Sequence, residues 1–230
     1  MSAGRAAAPP SASAAAARAG SLLAPAAALL AGCFTFGLGG PPLGEPSLRP
    51  ARQHSAQSQV VGNAVVASYQ GLTVSLEPLS AEHLDLLYQN RPGIVNPVKN
   101  LAPGVPQPIA FRVIVRNRSR QAAQLEPVMF TLTDQEGLRT RPMHYQDFYQ
   151  LFADMQDAEQ RLRSVDATTL SSFVTVASGG EKDAFLYFPP MPESSRLLVL
   201  ELGSLFLGAR EVPFLAEFEV VRAKASAGGR

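Results

Sequence analysis

Few residues of this chain are of types that do chemistry, and their spacing decides what they can do. Of the three histidines, His54, His83 and His144, no two share a local spacing that would hold a metal ion. Met143 and His144 taken with Met191 would suit copper, which accepts thioether and imidazole. At a helix start, however, a packed methionine and a solvated histidine are the commoner outcome. No Gly-x-Ser-x-Gly elbow occurs, and Ser171-Ser172 before Phe173 reads as the start of a strand. Glu217 and Glu219, two apart on a strand, share its wet face, where carboxylates serve solubility by default. Asn117-Arg118-Ser119 has the form of a glycosylation sequon. Cys33 is the only cysteine, so no disulfide can form within one chain. The expectation is no catalytic set, no metal and no cofactor.

Cys33 closes the run Ser21-Leu22-Leu23-Ala24-Pro25-Ala26-Ala27-Ala28-Leu29-Leu30-Ala31-Gly32-Cys33. The apolar core is about ten residues, with Arg5 and Arg18 as the only charges before it, which is the layout of a secretory signal. That is too short to cross a bilayer, which takes roughly twenty residues. The ending Leu-Ala-Gly-Cys resembles the lipobox of bacterial lipoproteins. The resemblance implies that residues 1–32 are a signal peptide, that the Cys33 thiol carries a diacylglycerol, and that the new amino terminus is acylated. The alternative is a plain signal peptide with Cys33 an incidental thiol. On the lipoprotein reading the partner is a membrane, reached through lipid on Cys33. Phe34, standing where an Asp would mark inner-membrane retention in some bacteria, points to the outer membrane, facing the periplasm.

Removing residues 1–32 takes away two of the 20 basic residues and none of the 19 acidic ones, leaving 18 against 19. A chain so near neutrality is not expected to bind nucleic acid. Residues 33–58 hold Gly37, Gly39, Gly40, Pro41, Pro42, Pro46 and Pro50 and then a polar run, with no apolar period. They are expected to form a flexible tether, with 59–223 a folded domain and 224–230 a disordered tail.

From Val60 onward the pattern is that of strands. Leu72, Val74 and Leu76 alternate with polar residues, as do Phe111, Val113 and Val115, and Val128, Phe130 and Leu132 repeat every second position. Val60–Tyr69, Phe173–Val176, Ala184–Phe188, Leu197–Leu202 and Val212–Val221 are further candidates. Eight or so short strands between Gly/Pro punctuation predict a mainly β, antiparallel sandwich. Ser80 is placed to cap a short helix to about Gln89. A longer helix is expected from Met143 to about Val165, with Tyr145, Phe148, Phe152, Met155 and Leu162 on one side, covering an open end of the sandwich. Tyr145, Phe148, Tyr149 and Phe152 are its candidate partner-binding residues.

Phe111-Arg-Val-Ile-Val-Arg-Asn-Arg-Ser119, then Leu125-Glu126-Pro127 leading to Phe130-Thr-Leu-Thr-Asp-Gln-Glu-Gly137, then Gly179-Gly180-Glu181-Lys182 before Phe185-Leu-Tyr-Phe-Pro189, resemble the telokin-like, immunoglobulin-fold domains of exported bacterial proteins. In those domains a strand ends at an Asn-x-Ser turn, the next reaches an Asp-x-x-Gly hairpin, and a Gly-rich turn opens a strand carrying aromatic residues. The resemblance covers roughly residues 108–222 and implies a fold and an envelope location but no reaction. Three functions remain open. The first is a non-catalytic interaction or assembly module that meets another envelope protein. The second is a carrier of an apolar ligand such as a lipid, and the third a hydrolase with a dispersed site.

Overall fold

The computed structural model describes residues 46–222, so Cys33, the leader, residues 33–45 of the expected tether and the tail lie outside the described residues. The chain is mainly β and its strands pair antiparallel. Strands β1 (Pro46–Pro50), β2 (Ser58–Val61), β3 (Ala64–Tyr69) and β4 (Leu72–Leu79) precede helix α1 (Ala81–Gln89). Next come β5 (Ile109–Asn117), β6 (Ala123–Leu125), a 3-10 turn at Pro127–Met129, β7 (Thr131–Asp134) and β8 (Arg139–Thr140). Helices α2 (Tyr145–Phe152) and α3 (Ala158–Thr168) follow, then β9 (Val174–Val176) and β10 (Glu181–Phe188). The described residues end in β11 (Leu197–Glu201), β12 (Leu205–Leu207), β13 (Arg210–Glu211) and β14 (Leu215–Arg222).

One sheet runs β10-β5-β4-β3-β2, a second β1-β14-β11-β7-β8, and a third β13-β12-β6-β9. Period-two alternation sends Leu72, Val74 and Leu76 of β4 and Val113 and Val115 of β5 into a core shared with Leu132, Leu198, Leu200 and Phe218. Gly203, between β11 and β12, faces the 3-10 turn between β6 and β7: a Cβ there would lie 2.7 Å from the Met129 carbonyl oxygen. Only a residue without a side chain admits that approach.

β10 is buried on both faces. Ala184, Leu186 and Phe188 enter the sheet core, whereas Phe185 and Tyr187 point to a second cluster with Leu84 and Tyr88 of α1, Phe148 and Phe152 of α2 and Leu162 and Val165 of α3. An unbroken apolar run, Ala-Phe-Leu-Tyr-Phe, is what such a strand requires. The helices therefore cover the outer face of a sheet rather than an open end of the sandwich. They also close its edge, since Leu170 N–H donates to Phe185 O at 2.8 Å and Met143 N–H to Tyr187 O at 2.7 Å.

Several expectations are corrected. The single helix from Met143 to Val165 is two, because the chain turns at 153–157 through Met155 N–H to Phe152 O and restarts after Asp157. The run Val60–Tyr69 is a hairpin turning at Gly62-Asn63. Pro127 makes Val128–Met129 a 3-10 turn and delays β7 to Thr131. In the run Val212–Val221 the first three residues, around Pro213, lie outside any strand, and β14 starts only at Leu215. The largest difference concerns residues 46–58, expected in the tether. Pro46–Pro50 is a strand laid along β14 in the register Pro46↔Arg222 to Pro50↔Phe218. Arg49 Nη2 meets Glu219 at 2.6 Å, His54 Nδ1 meets Glu217 at 2.8 Å, and the Gln53 amide bonds both N–H and C=O of Glu217. Side-chain clamps replace the apolar period that the sequence lacks here.

Candidate functional site

The four aromatic residues expected to meet a partner divide. Phe148 and Phe152 are fully buried; Phe148 stands edge-on to Tyr187 with centroids 5.4 Å apart. Tyr145 and Tyr149, one turn apart on the outward face of α2, are 51% and 55% exposed. A rigid surface can therefore offer only the two tyrosines.

The candidate chemistry is dispersed. His54 sits on Glu217, and His83 lies 3.6 Å from Glu77, while the backbone N–H of His144 is capped by Asp147 at 2.7 Å. Met143 packs in the helix-side cluster and Met191 against the sheet core, so the thioethers are not gathered around His144. Among the described residues no group of three His, Cys, Asp or Glu is placed to hold a metal. Ser171 and Ser172 are exposed in the loop before β9. Asn117 is fully buried, its amide donating to Gln121 O and Val176 O and its oxygen accepting from the N–H and hydroxyl of Ser119. The sequon is thus a turn staple. Asp134, likewise, accepts from the N–H groups of Glu136 and Leu138 in the β7–β8 hairpin.

What sequence reasoning missed is a cleft of about 760 Å³. Its walls are the ends of β4 and β5 at Leu79, Ile109 and Ala110, the α1 face at Leu84 and Asp85, the 96–108 loop, and β1 with β14 at Leu48 and Val220. Such a volume lies within the ordinary range for small-molecule sites. The loop is held by α3. Arg161, 6% exposed, donates from Nη1 to Pro97 O and Lys99 O at 2.6 Å and from Nε to Asp157 at 2.8 Å; Ser164 Oγ accepts from Val95 N–H at 3.0 Å. An i,i+4 spacing such as Asp157…Arg161 is by itself only a helix-surface pair, and nothing local reveals that the guanidinium reaches carbonyls some sixty residues away.

Most of the lining is apolar, and its charges balance: Glu82 and Asp85 against Lys99 and Arg222. Both cations are engaged. Lys99 Nζ lies 2.7 Å from Asp85, and the Arg222 guanidinium donates to Ser195 O at 2.8 Å and Pro192 O at 3.3 Å. Partial burial pushes the Asp85 carboxyl up, but the hydrogen bonds from Lys99 and from Asn96 at 2.5 Å outweigh it and hold it below its ordinary value. A carboxylate held ionised and paired is a poor general acid. The lining serines are also committed, Ser80 Oγ to His83 N–H and Ser47 Oγ to Val221 O. No nucleophile stands beside a base in this lining. Its chemistry is that of apolar contact with a few polar anchors. Comparison with family models, with curated proteins and with solved structures returned no match.

Proposed function

We propose that this chain is a membrane-anchored lipoprotein of the bacterial envelope, acylated at Cys33 and held at the outer membrane, whose non-catalytic domain binds an apolar or amphiphilic ligand in the cleft. The cleft is the observation that carries the reading: a hollow of about 760 Å³ with mostly apolar walls, balanced charge and no nucleophile–base pair suits binding rather than turnover. Pro46 stands in its wall, thirteen positions after Cys33, so the intervening chain reaches at most about 45 Å. Ligand exchange with the anchoring bilayer is within that reach. The domain is taken as immunoglobulin-like. The antiparallel sheets, the Asn117 turn ending β5, the Asp134–Gly137 hairpin after β7 and the Gly179-Gly180 turn opening β10 support this.

The test is native mass spectrometry of the full chain, extracted gently from producing cells, beside solvent extraction of what it carries. A stoichiometric apolar or amphiphilic molecule is expected, and Ile109→Trp, which places bulk in the cleft, should lose it while melting within a few degrees of the parent. An empty cleft in both proteins rejects ligand binding. A second reading, a protein-interaction module, draws on the half-exposed pair Tyr145 and Tyr149. Crosslinked co-purification that is lost in Tyr145→Ala or Tyr149→Ala, with the cleft empty, would favour it.

A further inference from the structure

The sheets have six edges among the described residues, and five are blunted. β1 has a proline at each end and Arg49 paired with Glu219. β8 and β13 are two residues each, β9 is three, and β10 is capped by the backbone of Met143 and Leu170. These are the ordinary devices by which sheets avoid pairing with other chains. β2, Ser-Gln-Val-Val, has none: no charge, no proline, and Val60 and Val61 exposed by 47% and 53%. Nor does its surrounding guard it. From Ser55 to Leu76 the sequence carries no charged residue, so the whole β2–β3 hairpin and β4 up to Glu77 are neutral.

The geometry points to β2 as a homotypic docking edge, pairing antiparallel with β2 of a second copy across a two-fold axis at Val60. Neutrality argues for a second copy, since a self-pair brings two strands of identical net charge side by side, and a strand without charge offers no repulsion to its equivalent. Register argues for the axis. Val61 and Ala64 close the two-residue turn, so they and Gln59↔Val66 exchange the ladder bonds, and the N–H and C=O of Val60 point outward. Val60 lies opposite the buried Val65, hence on the core face, yet it is half exposed because β2 is the outermost strand. An axis at Val60 joins the outward backbone groups of the two copies, sets Val60 beside its equivalent, and places Gln59 opposite Val61 of the other copy. Inner face meets inner face, so two five-stranded sheets become one of ten. A four-residue ladder is small beside the roughly 1,200 Å² of a stable interface. Pairing should therefore be weak in dilute solution and strong where copies share a surface. It does not depend on the cleft holding a ligand.

Site-directed crosslinking of the full chain in membranes from producing cells tests this. Under mild oxidation Val60→Cys should give a disulfide-linked dimer at least tenfold more abundant than the unaltered chain or Ser171→Cys, whose exposed position lies on another sheet's loop. The second arm keeps the register falsifiable: Gln59→Cys and Val61→Cys should each pair poorly alone but form a mixed dimer when co-produced. Crosslinking of Val60→Cys no greater than the controls, linkage to a different protein, or no mixed dimer in the second arm overturns the proposal.

Discussion

Tyr187 donates its phenolic hydrogen to Tyr88 Oη at 3.0 Å, and the direction follows from the far end of the chain of bonds. Thr168 Oγ1 donates to Ser164 O, which can only accept, so Tyr88 must donate to Thr168 at 2.7 Å and Tyr187 to Tyr88. A buried polar relay thus joins β10, α1 and α3 on the helix-covered side of the sheet.

The two phenols are not equivalent. Tyr88→Phe leaves the fully buried Tyr187 hydroxyl with no partner and should cost about 1–3 kcal/mol, whereas Tyr187→Phe leaves Tyr88 bonded to Thr168 and should cost about 0.5–1.5 kcal/mol. The double substitution should cost less than the two singles together. Urea unfolding of the three variants measures it.

Alkaline pH should weaken the same relay. Burial raises the phenols of both Tyr187 and Tyr88 above their ordinary value. A group raised in the folded state stabilises while neutral, so its contribution is complete below about pH 10 and is lost as pH rises towards the folded value. Stability should fall above pH 10, and less steeply in the double Phe variant, as followed by circular dichroism.

On α2, Phe148→Ala and Phe152→Ala should each cost about 3–5 kcal/mol. Tyr145→Ala and Tyr149→Ala, at exposed positions, should stay within about 0.5 kcal/mol. Thermal shifts of the four variants decide whether the helix face divides as the burial indicates.

Arg161→Ala should loosen the 96–101 loop by freeing Pro97 O and Lys99 O together, and Arg161→Lys should not restore it, because an ammonium cannot reproduce the three-way fork. Hydrogen exchange should rise at Val98–Leu101 in both variants. Unchanged protection would mean that the loop is held by packing alone.

Cys33→Ala is expected to release the protein from membranes or leave its leader uncleaved, since two or three acyl chains anchor stably where one does not. Persistence in the membrane pellet after a salt wash, with normal processing, would sink the lipobox reading.

Strands with a clear apolar pattern were legible: β4 and β5 by strict alternation, and β10 by the continuous run Ala184–Phe188. So was α1, because Ser80 accepts from His83 N–H as a cap must. The rest depended on partners distant in sequence. The segment 46–54 has one inward leucine in β1 and is held through Arg49 to Glu219 and His54 to Glu217, more than 160 residues away. Its prolines therefore looked like linker. The break in the long helical pattern carried no local mark, because Asp157 makes no side-chain cap and its carboxylate is held by Arg161, while apolar spacing continues on either side. The cleft left no trace at all, because a hollow is made by ends of elements that no local pattern brings together.

The ladder between β1 and β14 sets a condition on how the domain is made. It joins the first described strand to the last, so its contact order is nearly the length of the domain and its closure among the most costly in chain entropy. A chain that emerges amino end first must keep β1 unzipped until about Arg222 has appeared. Closure of the domain thus waits on the residues of β14, and a chain cut before Leu215 forfeits that strand, the partner that holds β1, and one wall of the cleft.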